Sequence, residues 1–300
     1  MTALADLLTG GVHPIDGGLA TELEARGHDL SDALWSARVL IDQPDEVRAV
    51  HESYAQAGAR VLISASYQVS REGFVADGRT AHSADQALRA SVALARAAAA
   101  HSGALVAASV GPFGAIRHDG SEYRGDYGVS HDRLVDFHAE RLAVIVESEP
   151  DLLAIETIPD VQEVGALVET LAGFPHVPAW LSLSCRDDHS TCAGQPIEEA
   201  AAVAGECPSI LAIGVNCTAP EYVAPLLERL SAVTDLALVA YPNAGRAWDP
   251  LTGWQGQSRV SGDDLVRAWA EIDRVRFIGG CCGVGPSAIA GISRSLTSST

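Results

Sequence analysis

The chain has 300 residues and carries 20 basic and 39 acidic side chains, which gives a formal net charge of −19 at pH 7. Such an acidic chain is unsuited to binding nucleic acid through neutralisation of phosphates. All 20 basic side chains are arginine and none is lysine. The sequence therefore excludes Schiff-base aldolases, lysine-anchored pyridoxal enzymes and P-loop nucleotide-binding proteins.

Eight short apolar runs, typical of buried strands, follow one another along the chain. Between them lie stretches with helical spacing of apolar residues, such as Leu134, Phe137 and Leu142. Eight such units predict an α/β protein, a (β/α)8 TIM barrel. No Ser/Pro/Gly-rich linker divides the chain, so we predict one domain over residues 1–300 with its core at about 12–290. The predicted strands are at 12–16, 61–66, 105–110, 152–155, 179–184, 210–215, 236–240 and 275–279.

Polar, acidic and thiol side chains follow the predicted strands at their carboxyl ends. In barrels of this type the active site lies at those ends. These side chains should therefore meet at one mouth of the barrel. The segments concerned are Asp16-Gly17-Gly18, Ser66-Tyr67-Gln68, Gly111-Pro112, Glu156-Thr157, Ser184-Cys185, Asn216-Cys217, Tyr241-Pro242-Asn243 and Gly280-Cys281-Cys282.

Three of the six cysteines are placed to bind a metal ion. Cys217 ends the predicted sixth strand, and Cys281 and Cys282 end the eighth. Adjacent cysteines do not easily bond to each other because disulfide geometry is demanding. Three thiolates suit Zn²⁺ and leave its fourth position open for a substrate. The cysteines for which burial as small hydrophobic residues is the favoured interpretation are Cys185, Cys192 and Cys207.

A zinc ion bound by three thiolates is a poor Lewis acid for making hydroxide, but it can bind another thiol and lower its pKa. This chemistry favours alkylation of a thiol over hydrolysis. Asp16 and Glu156 are candidates for holding an ammonium group or for acting as a general acid–base pair. The non-functional interpretations are that Asp16 caps the N-terminus of a helix and that Glu156 is a solvated carboxylate at the rim of the barrel.

The amino-terminal residues, MTALADLLTGG, do not resemble a secretory signal, since they contain Asp6 and no basic cluster. No stretch reaches about 18 uninterrupted apolar residues, the length of a membrane span. We therefore expect a cytoplasmic protein that does not bind membranes.

Motifs along almost the whole chain, from about residue 12 to about residue 290, carry a family resemblance. The most specific are Gly214-Val215-Asn216-Cys217 and Gly279-Gly280-Cys281-Cys282, in that order. The others are 16–27 (DGGLATELEARG), Leu34-Trp35-Ser36-Ala37, Ser64-Ala65-Ser66-Tyr67-Gln68, Gly111-Pro112, 121–127 (SEYRGDY), Glu156-Thr157 and Tyr241-Pro242-Asn243. On these residues the chain resembles the homocysteine S-methyltransferase family.

The resemblance implies a zinc-dependent (β/α)8 barrel in which Cys217, Cys281 and Cys282 are the zinc ligands and the homocysteine thiolate is the fourth. It also implies that Asp16 and Glu156 hold the homocysteine amino group, while backbone N–H groups just after Asp16 meet its carboxylate. The residues to which the resemblance assigns further substrate contacts are Gly17, Gly18, Trp35, Ser66, Tyr67, Gln68, Thr157 and Asn216.

The implied reaction is in-line transfer of a methyl group from an onium donor to the thiolate of L-homocysteine. The 121–127 segment and the compact length resemble the branch that uses S-methylmethionine. Thr157 disfavours betaine, whose branch has an aromatic residue after the strand-four glutamate. S-adenosylmethionine as donor and a selenol such as selenocysteine as acceptor stay open. The candidates for contacting a sulfonium are Trp35, Tyr67, Tyr123 and Tyr127.

A non-catalytic zinc-binding barrel that senses thiols is the alternative from another class. Structural zinc sites normally have four protein ligands, and such a site would have no use for Asp16 and Glu156. We therefore expect an enzyme with zinc as its cofactor. Its expected partners are small molecules, homocysteine and the methyl donor, and its oligomeric state does not follow from the sequence.

Overall fold

The computed structural model describes residues 3–31, 34–245, 247–249, 253–255 and 263–297. Within these ranges the strands are β1 (His13–Pro14), β2 (Val61–Ile63), β3 (Leu105–Val110), β4 (Leu152–Ile158), β5 (Ala179–Leu183), β6 (Ile210–Asn216), β7 (Ala237–Tyr241), β8 (Ala247–Asp249), β9 (Gly253–Gln255) and β10 (Val275–Ile278).

The helices of the described residues alternate with these strands. They are α1 (Ala3–Thr9), α2 (Leu19–Ala25), α3 (Ser36–Asp42), α4 (Pro44–Gln56), α5 (Arg71–Ala76), α6 (Ala81–Ala99), α7 (His131–Val146), α8 (Val161–Leu171), α9 (Ile197–Ala204), α10 (Pro220–Val233), α11 (Asp263–Ala270) and α12 (Pro286–Thr297), with 3₁₀ turns at Phe113–Ile116 and Ser121–Tyr123. Among these helices, none combines the length and apolar character needed to cross a membrane.

Eight strands form one parallel sheet in the order β1-β10-β7-β6-β5-β4-β3-β2. A parallel bridge between Ile15 and Val61 joins the two ends of the sheet. The predicted (β/α)8 TIM barrel is thereby confirmed. Strands β8 and β9 pair with each other as a separate antiparallel hairpin.

Two strands end three residues away from their predicted positions near the mouth of the barrel, whereas the other predicted strands agree with the structure to within two residues at each end. The second strand ends at Ile63, because the chain turns and the Ser66 carbonyl accepts the Val69 N–H at 3.1 Å. The fourth strand continues to Ile158 and therefore includes Glu156. A polar residue inside a strand interrupts the apolar pattern that marks the strand in the sequence.

Large aromatic side chains fill the interior of the barrel. Trp180 and Phe277 are essentially inaccessible to solvent, and their ring centroids lie 5.8 Å apart. Leu7 of α1 belongs to the same cluster. A second apolar layer packs between the strands and the surrounding helices. The mouth of the barrel therefore rests on a packed interior, which holds the strand ends in fixed positions.

His51, on α4, is an ionisable side chain packed into the core. It is 1% exposed, and neither ring nitrogen has a hydrogen-bond partner among the described residues. Burial disfavours the charged ring and lowers the pKa of His51 from 6.5 to about 4. Below pH 6.5 the unfolded chain therefore binds a proton that the folded chain does not. The free energy of unfolding is therefore at its full value above pH 6.5 as far as His51 is concerned, and it decreases as the pH falls from 6.5 towards 4.

We expect acidification from pH 7 to pH 4 to lower the free energy of unfolding by about 3 kcal/mol on account of His51. Urea denaturation across this range measures the effect. His51→Leu should remove that part of the pH dependence, and at pH 7 it should not destabilise the protein, since two buried nitrogens without partners disappear. His101, an exposed histidine, provides the control variant His101→Gln. A His51→Leu variant with the pH dependence of the unmodified protein would contradict the prediction.

Candidate active site and metal centre

Three cysteine sulfurs meet at the carboxyl ends of β6 and β10. The Sγ atoms of Cys217, Cys281 and Cys282 all lie within 4.8 Å of one another, and those of Cys217 and Cys282 are 3.5 Å apart. The turn after β10 is fixed by two backbone hydrogen bonds, from Cys281 N–H to Pro242 O at 2.8 Å and from Ala244 N–H to Cys282 O at 2.8 Å. The loop after β7 thus holds both cysteines against the end of β6.

Hydrogen bonding among the three thiols shifts their pKa values in opposite directions. Hydrogen bonds from Cys281 and Cys282 lower the pKa of Cys217 well below its ordinary value. Hydrogen bonding to Cys217 raises the pKa values of Cys281 and Cys282 well above theirs. Three thiolates this close repel one another, so all three lose their protons together only when a cation lies between them.

Two glycines bring the loop after β1 close to the cysteine turn. A Cβ atom on Gly17 would lie 2.4 Å from the Val284 carbonyl oxygen, and one on Gly18 would lie 2.6 Å from the Cys281 carbonyl oxygen. A side chain does not fit at either position. The Gly18 N–H donates to Val284 O at 3.0 Å, so this amide already has a partner within the chain.

Asp16 lies at the end of β1 with its carboxylate buried. One oxygen, Oδ2, accepts the backbone N–H of Ile63 at 2.7 Å. The other, Oδ1, is buried and has no hydrogen-bond partner among the described residues. Burial raises the pKa of Asp16 well above its ordinary value, and the nearby charge of Glu156 raises it further. Such a buried oxygen has a free position for a donor from a ligand.

Glu156, inside β4, is held by a layer of serines below the mouth. Its Oε1 accepts a hydrogen bond from Ser109 Oγ. The Ser109 N–H in turn donates to Ser64 Oγ at 3.1 Å. Burial raises the pKa of Glu156 to about 7, and hydrogen bonds from Ser109 and Tyr241 oppose that rise. The carboxylate is therefore anchored on one side and faces the cavity on the other.

A cavity joins the cysteine cluster to Glu156. Aromatic rings of Trp35, Tyr67 and Tyr123 form part of its wall. The rings of Trp35 and Tyr67 meet edge to face with centroids 6.4 Å apart. The Tyr123 hydroxyl lies 3.3 Å from Cys217 Sγ. The cavity thus combines thiols, a carboxylate and aromatic faces, a set that suits a cationic ligand with a thiol partner.

Most of the residues predicted to form the site line this cavity. They are Gly17, Gly18, Trp35, Tyr67, Glu156, Thr157, Cys217, Cys281 and Cys282. The other four predicted residues, Asp16, Ser66, Gln68 and Asn216, are not among the residues that line it. The Asp16 carboxylate is buried with one oxygen unpartnered among the described residues, and the side chains of Ser66, Gln68 and Asn216 bond other parts of the chain.

These last three side chains have identified partners. Ser66 Oγ donates to Ser109 O at 2.8 Å, and Gln68 Nε2 donates to Ala115 O at 3.1 Å. The amide of Asn216 bonds Thr157 through both its oxygen and its nitrogen. Contact of Ser66, Gln68 and Asn216 with a substrate stays a prediction.

One important residue of the site region was not anticipated from the sequence. Arg141, on α7, is 2% exposed and donates to the carbonyl oxygens of Gly111, Ser66 and Tyr67 at 2.8, 3.2 and 2.9 Å. The guanidinium therefore fixes the two loops after β2 and β3, and with them the Tyr67 ring. Its only sequence signal is an arginine among apolar residues of a helix.

The remaining cysteines lie outside the sulfur cluster. Cys185 and Cys207 are each 7% exposed and belong to the hydrophobic core, as expected. Cys192 is only partly buried, which is less than the burial predicted for it. All three are free thiols. They provide control positions for tests of the cluster.

Known proteins resemble this chain over almost its full length. Residues 15–296 match the family model described as homocysteine S-methyltransferase. The chain is 43% identical to homocysteine S-methyltransferase 4 of Zea mays, over 96% of this chain and 90% of that protein. It is 38% identical to selenocysteine Se-methyltransferase of Brassica oleracea var. italica, over 97% of this chain and 90% of that protein. The crystal structure of the metallated form of the homocysteine methyltransferase MmuM from Escherichia coli superposes with a TM-score of 0.87, at 39% identity over 97% of this chain and 98% of that one.

Proposed function

The chain belongs to the homocysteine S-methyltransferase family, and we propose that it transfers a methyl group from S-methylmethionine to the sulfur of L-homocysteine with zinc as its metal. The observation that carries the proposal is the cavity whose wall holds three clustered thiols and the Glu156 carboxylate. An amino acid that ends in a thiol presents an ammonium group and a sulfur, which match these two features.

Cys217, Cys281 and Cys282 would hold the zinc ion. A Zn–S bond of about 2.3 Å places the sulfurs of a tetrahedral site about 3.8 Å apart. The observed 3.5 Å between two of the sulfurs, and the limit of 4.8 Å for all three, fit that geometry. When bound, zinc supplies a position where the homocysteine thiol loses its proton and stays nucleophilic.

Asp16 and Glu156 bind the ammonium group of homocysteine. The unpartnered Oδ1 of Asp16 and the cavity-facing carboxylate of Glu156 accept its N–H donors. An ammonium group also removes the repulsion between the two buried carboxylates. The acceptor is thereby fixed at its amino end while its sulfur lies among the cysteines.

In the transfer step the homocysteine sulfur attacks the methyl carbon in line with the bond to the donor sulfur. A C–S bond forms to homocysteine, the donor C–S bond breaks, and its electron pair stays on the departing thioether. Two neutral molecules of methionine result, and the thiol proton goes to solvent. The cationic donor is stabilised by the rings of Trp35, Tyr67 and Tyr123, at about 0.5–2 kcal/mol for each good contact. The cavity contributes by holding sulfur and methyl carbon close together.

We expect protein purified with reductant and zinc to convert S-methylmethionine labelled in both S-methyl groups, together with homocysteine carrying a distinguishable label in its carbon skeleton, into methionine that carries both labels. Mass spectrometry measures the product. Parallel reactions with S-adenosylmethionine as donor and with selenocysteine as acceptor compare the alternatives directly. Absence of doubly labelled methionine from protein that retains zinc and transfers from S-adenosylmethionine would overturn the assigned donor. Absence of transfer from every donor would overturn the proposed activity.

A further inference from the structure

Three buried serines form a hydrogen-bonded group where β2 and β3 approach the cavity. Ser64 and Ser66 follow β2, and Ser109 lies within β3. Each is 4% exposed or less. Ser64 Oγ and Ser66 Oγ are 2.7 Å apart, Ser66 Oγ donates to Ser109 O at 2.8 Å, and the Ser109 N–H donates to Ser64 Oγ at 3.1 Å. These contacts form a closed cycle that fixes the three residues relative to one another.

The direction of each hydrogen bond in this cycle follows from the number of donors. A serine hydroxyl has one proton, a carbonyl oxygen only accepts, and a backbone N–H only donates. The hydroxyl proton of Ser66 is committed to the Ser109 carbonyl oxygen. In the contact between Ser64 and Ser66, the donor must therefore be Ser64. The one hydroxyl proton of the three serines that is not used within the cycle is that of Ser109.

The remaining proton leads to the carboxyl group of Glu156. Ser109 Oγ donates to Glu156 Oε1, and the cycle holds both the N–H and the carbonyl oxygen of Ser109. A hydrogen bond to a charged oxygen is stronger than one to a neutral oxygen. A donor fixed in this direction therefore favours the ionised carboxylate over the neutral acid, and it leaves the rest of the carboxylate for the cavity that Glu156 lines.

Glu156 needs this support because its surroundings oppose a negative charge. The residue is 8% exposed, and burial raises its pKa to about 7. The charge of Cys217, after β6, acts in the same direction. Glu156 also interacts electrostatically with Asp16, at the end of β1, and with Tyr67, after β2. Tyr241 of β7 assists the serine through a hydrogen bond that lowers the pKa of Glu156. Loss of the serine hydroxyl would therefore shift the balance towards the neutral acid.

We propose that Ser109, oriented by Ser64 and Ser66, is a positioning residue that holds Glu156 as an anion for the ammonium group of the acceptor. This inference rests on the proposed function. A neutral carboxyl group no longer pairs with an ammonium group, and a carboxyl group without its partner at Oε1 is free to turn away from the ligand. The side-chain hydrogen bonds of the three serines lead only to one another and to Glu156. Their effect is therefore confined to the amino end of the acceptor.

The test compares L-homocysteine with 4-mercaptobutanoate, the same thiol without its amino group, in zinc-loaded protein. Calorimetry measures Kd for both ligands from about pH 6 to about pH 8.5, together with zinc content and thermal stability. The ratio of the two Kd values isolates the amino group, because both ligands lose a thiol proton on binding.

In the unmodified protein, the preference for homocysteine should rise with pH and level off once Glu156 is ionised. Ser109→Ala should move the midpoint of this rise upward by about one pH unit, which lowers the preference by up to about tenfold below pH 7. Ser66→Ala should shift the midpoint in the same direction by less, because Ser109 keeps its hydroxyl but loses a contact that fixes it. Ser109→Thr, which keeps the hydroxyl, should preserve the midpoint.

Ser91 provides the matched control. It is a fully buried serine on α6 whose hydroxyl donates to Leu88 O at 2.8 Å, so Ser91→Ala removes a comparable hydrogen bond away from the cavity. Its midpoint should stay unchanged. If Ser109→Ala weakens both ligands equally and leaves the midpoint in place, or changes neither affinity, the positioning role is overturned. If Ser109→Ala does not fold, Ser66→Ala decides. An unmodified protein that does not methylate homocysteine would instead overturn the proposed function.

Discussion

Replacing Cys217 by alanine is expected to abolish both zinc retention and methyl transfer. The variant leaves two sulfurs, which follow β10 on one turn, and removes the sulfur that follows β6. We expect the rate of methyl transfer to fall by more than about 100-fold. Changing a group that hydrogen-bonds to a metal ligand already costs up to about 100-fold in metal affinity or activity, and loss of a ligand should cost more. Zinc is measured by inductively coupled plasma mass spectrometry after desalting, and transfer by labelled product.

Cys207 supplies the control for this variant. It is buried in the core and lies outside the sulfur cluster, so Cys207→Ala removes a buried sulfur of the same size without touching the cavity. This variant should keep one zinc ion per chain and near-normal transfer. One zinc ion per chain in folded Cys217→Ala would rule out the three-cysteine site. Circular dichroism of both variants separates loss of metal from loss of fold.

The barrel could be predicted because its strands are buried on both faces. Parallel strands covered by helices appear in a sequence as continuous apolar runs, and the run at 105–110 coincides with β3. Once the strands are known, all their carboxyl ends must face the same mouth. That topological fact placed Cys217 near Cys281 although the two are distant in sequence.

The roles of individual side chains at the mouth were harder to predict. Ser66 lies after β2 and Asn216 is the last residue of β6, near the mouth as expected, yet their polar atoms bond other parts of the chain. The alternation of side chains that assigns faces along a strand is lost where the strand turns. Arg141 was missed because its partners are backbone carbonyls of distant loops, and backbone carbonyls have no sequence signature.

Glu156 differs from an ordinary rim carboxylate because it is both buried and anchored. Its exposed fraction is 8%, and Ser109 donates to it from β3. A carboxylate in such a place is costly unless a cation pairs with it. The ammonium group of homocysteine would supply that cation, with Asp16 as the second acceptor. Most of the affinity for the amino end of the substrate should therefore depend on the charge of Glu156.

We expect Glu156→Gln to weaken homocysteine binding by about 30- to 1,000-fold, which corresponds to about 2–4 kcal/mol for breaking a buried charged pair. Glutamine keeps the volume and an oxygen for Ser109, so the loss reports the charge. Calorimetry on zinc-loaded protein measures Kd.

The control ligand is 4-mercaptobutanoate, which is homocysteine without its amino group. The substitution should change the affinity for this ligand little, because its sulfur still reaches the cysteines. Equal losses for the two ligands would mean that Glu156 supports the cavity rather than the ammonium group, and an unchanged Kd for homocysteine would remove Glu156 from the binding site altogether.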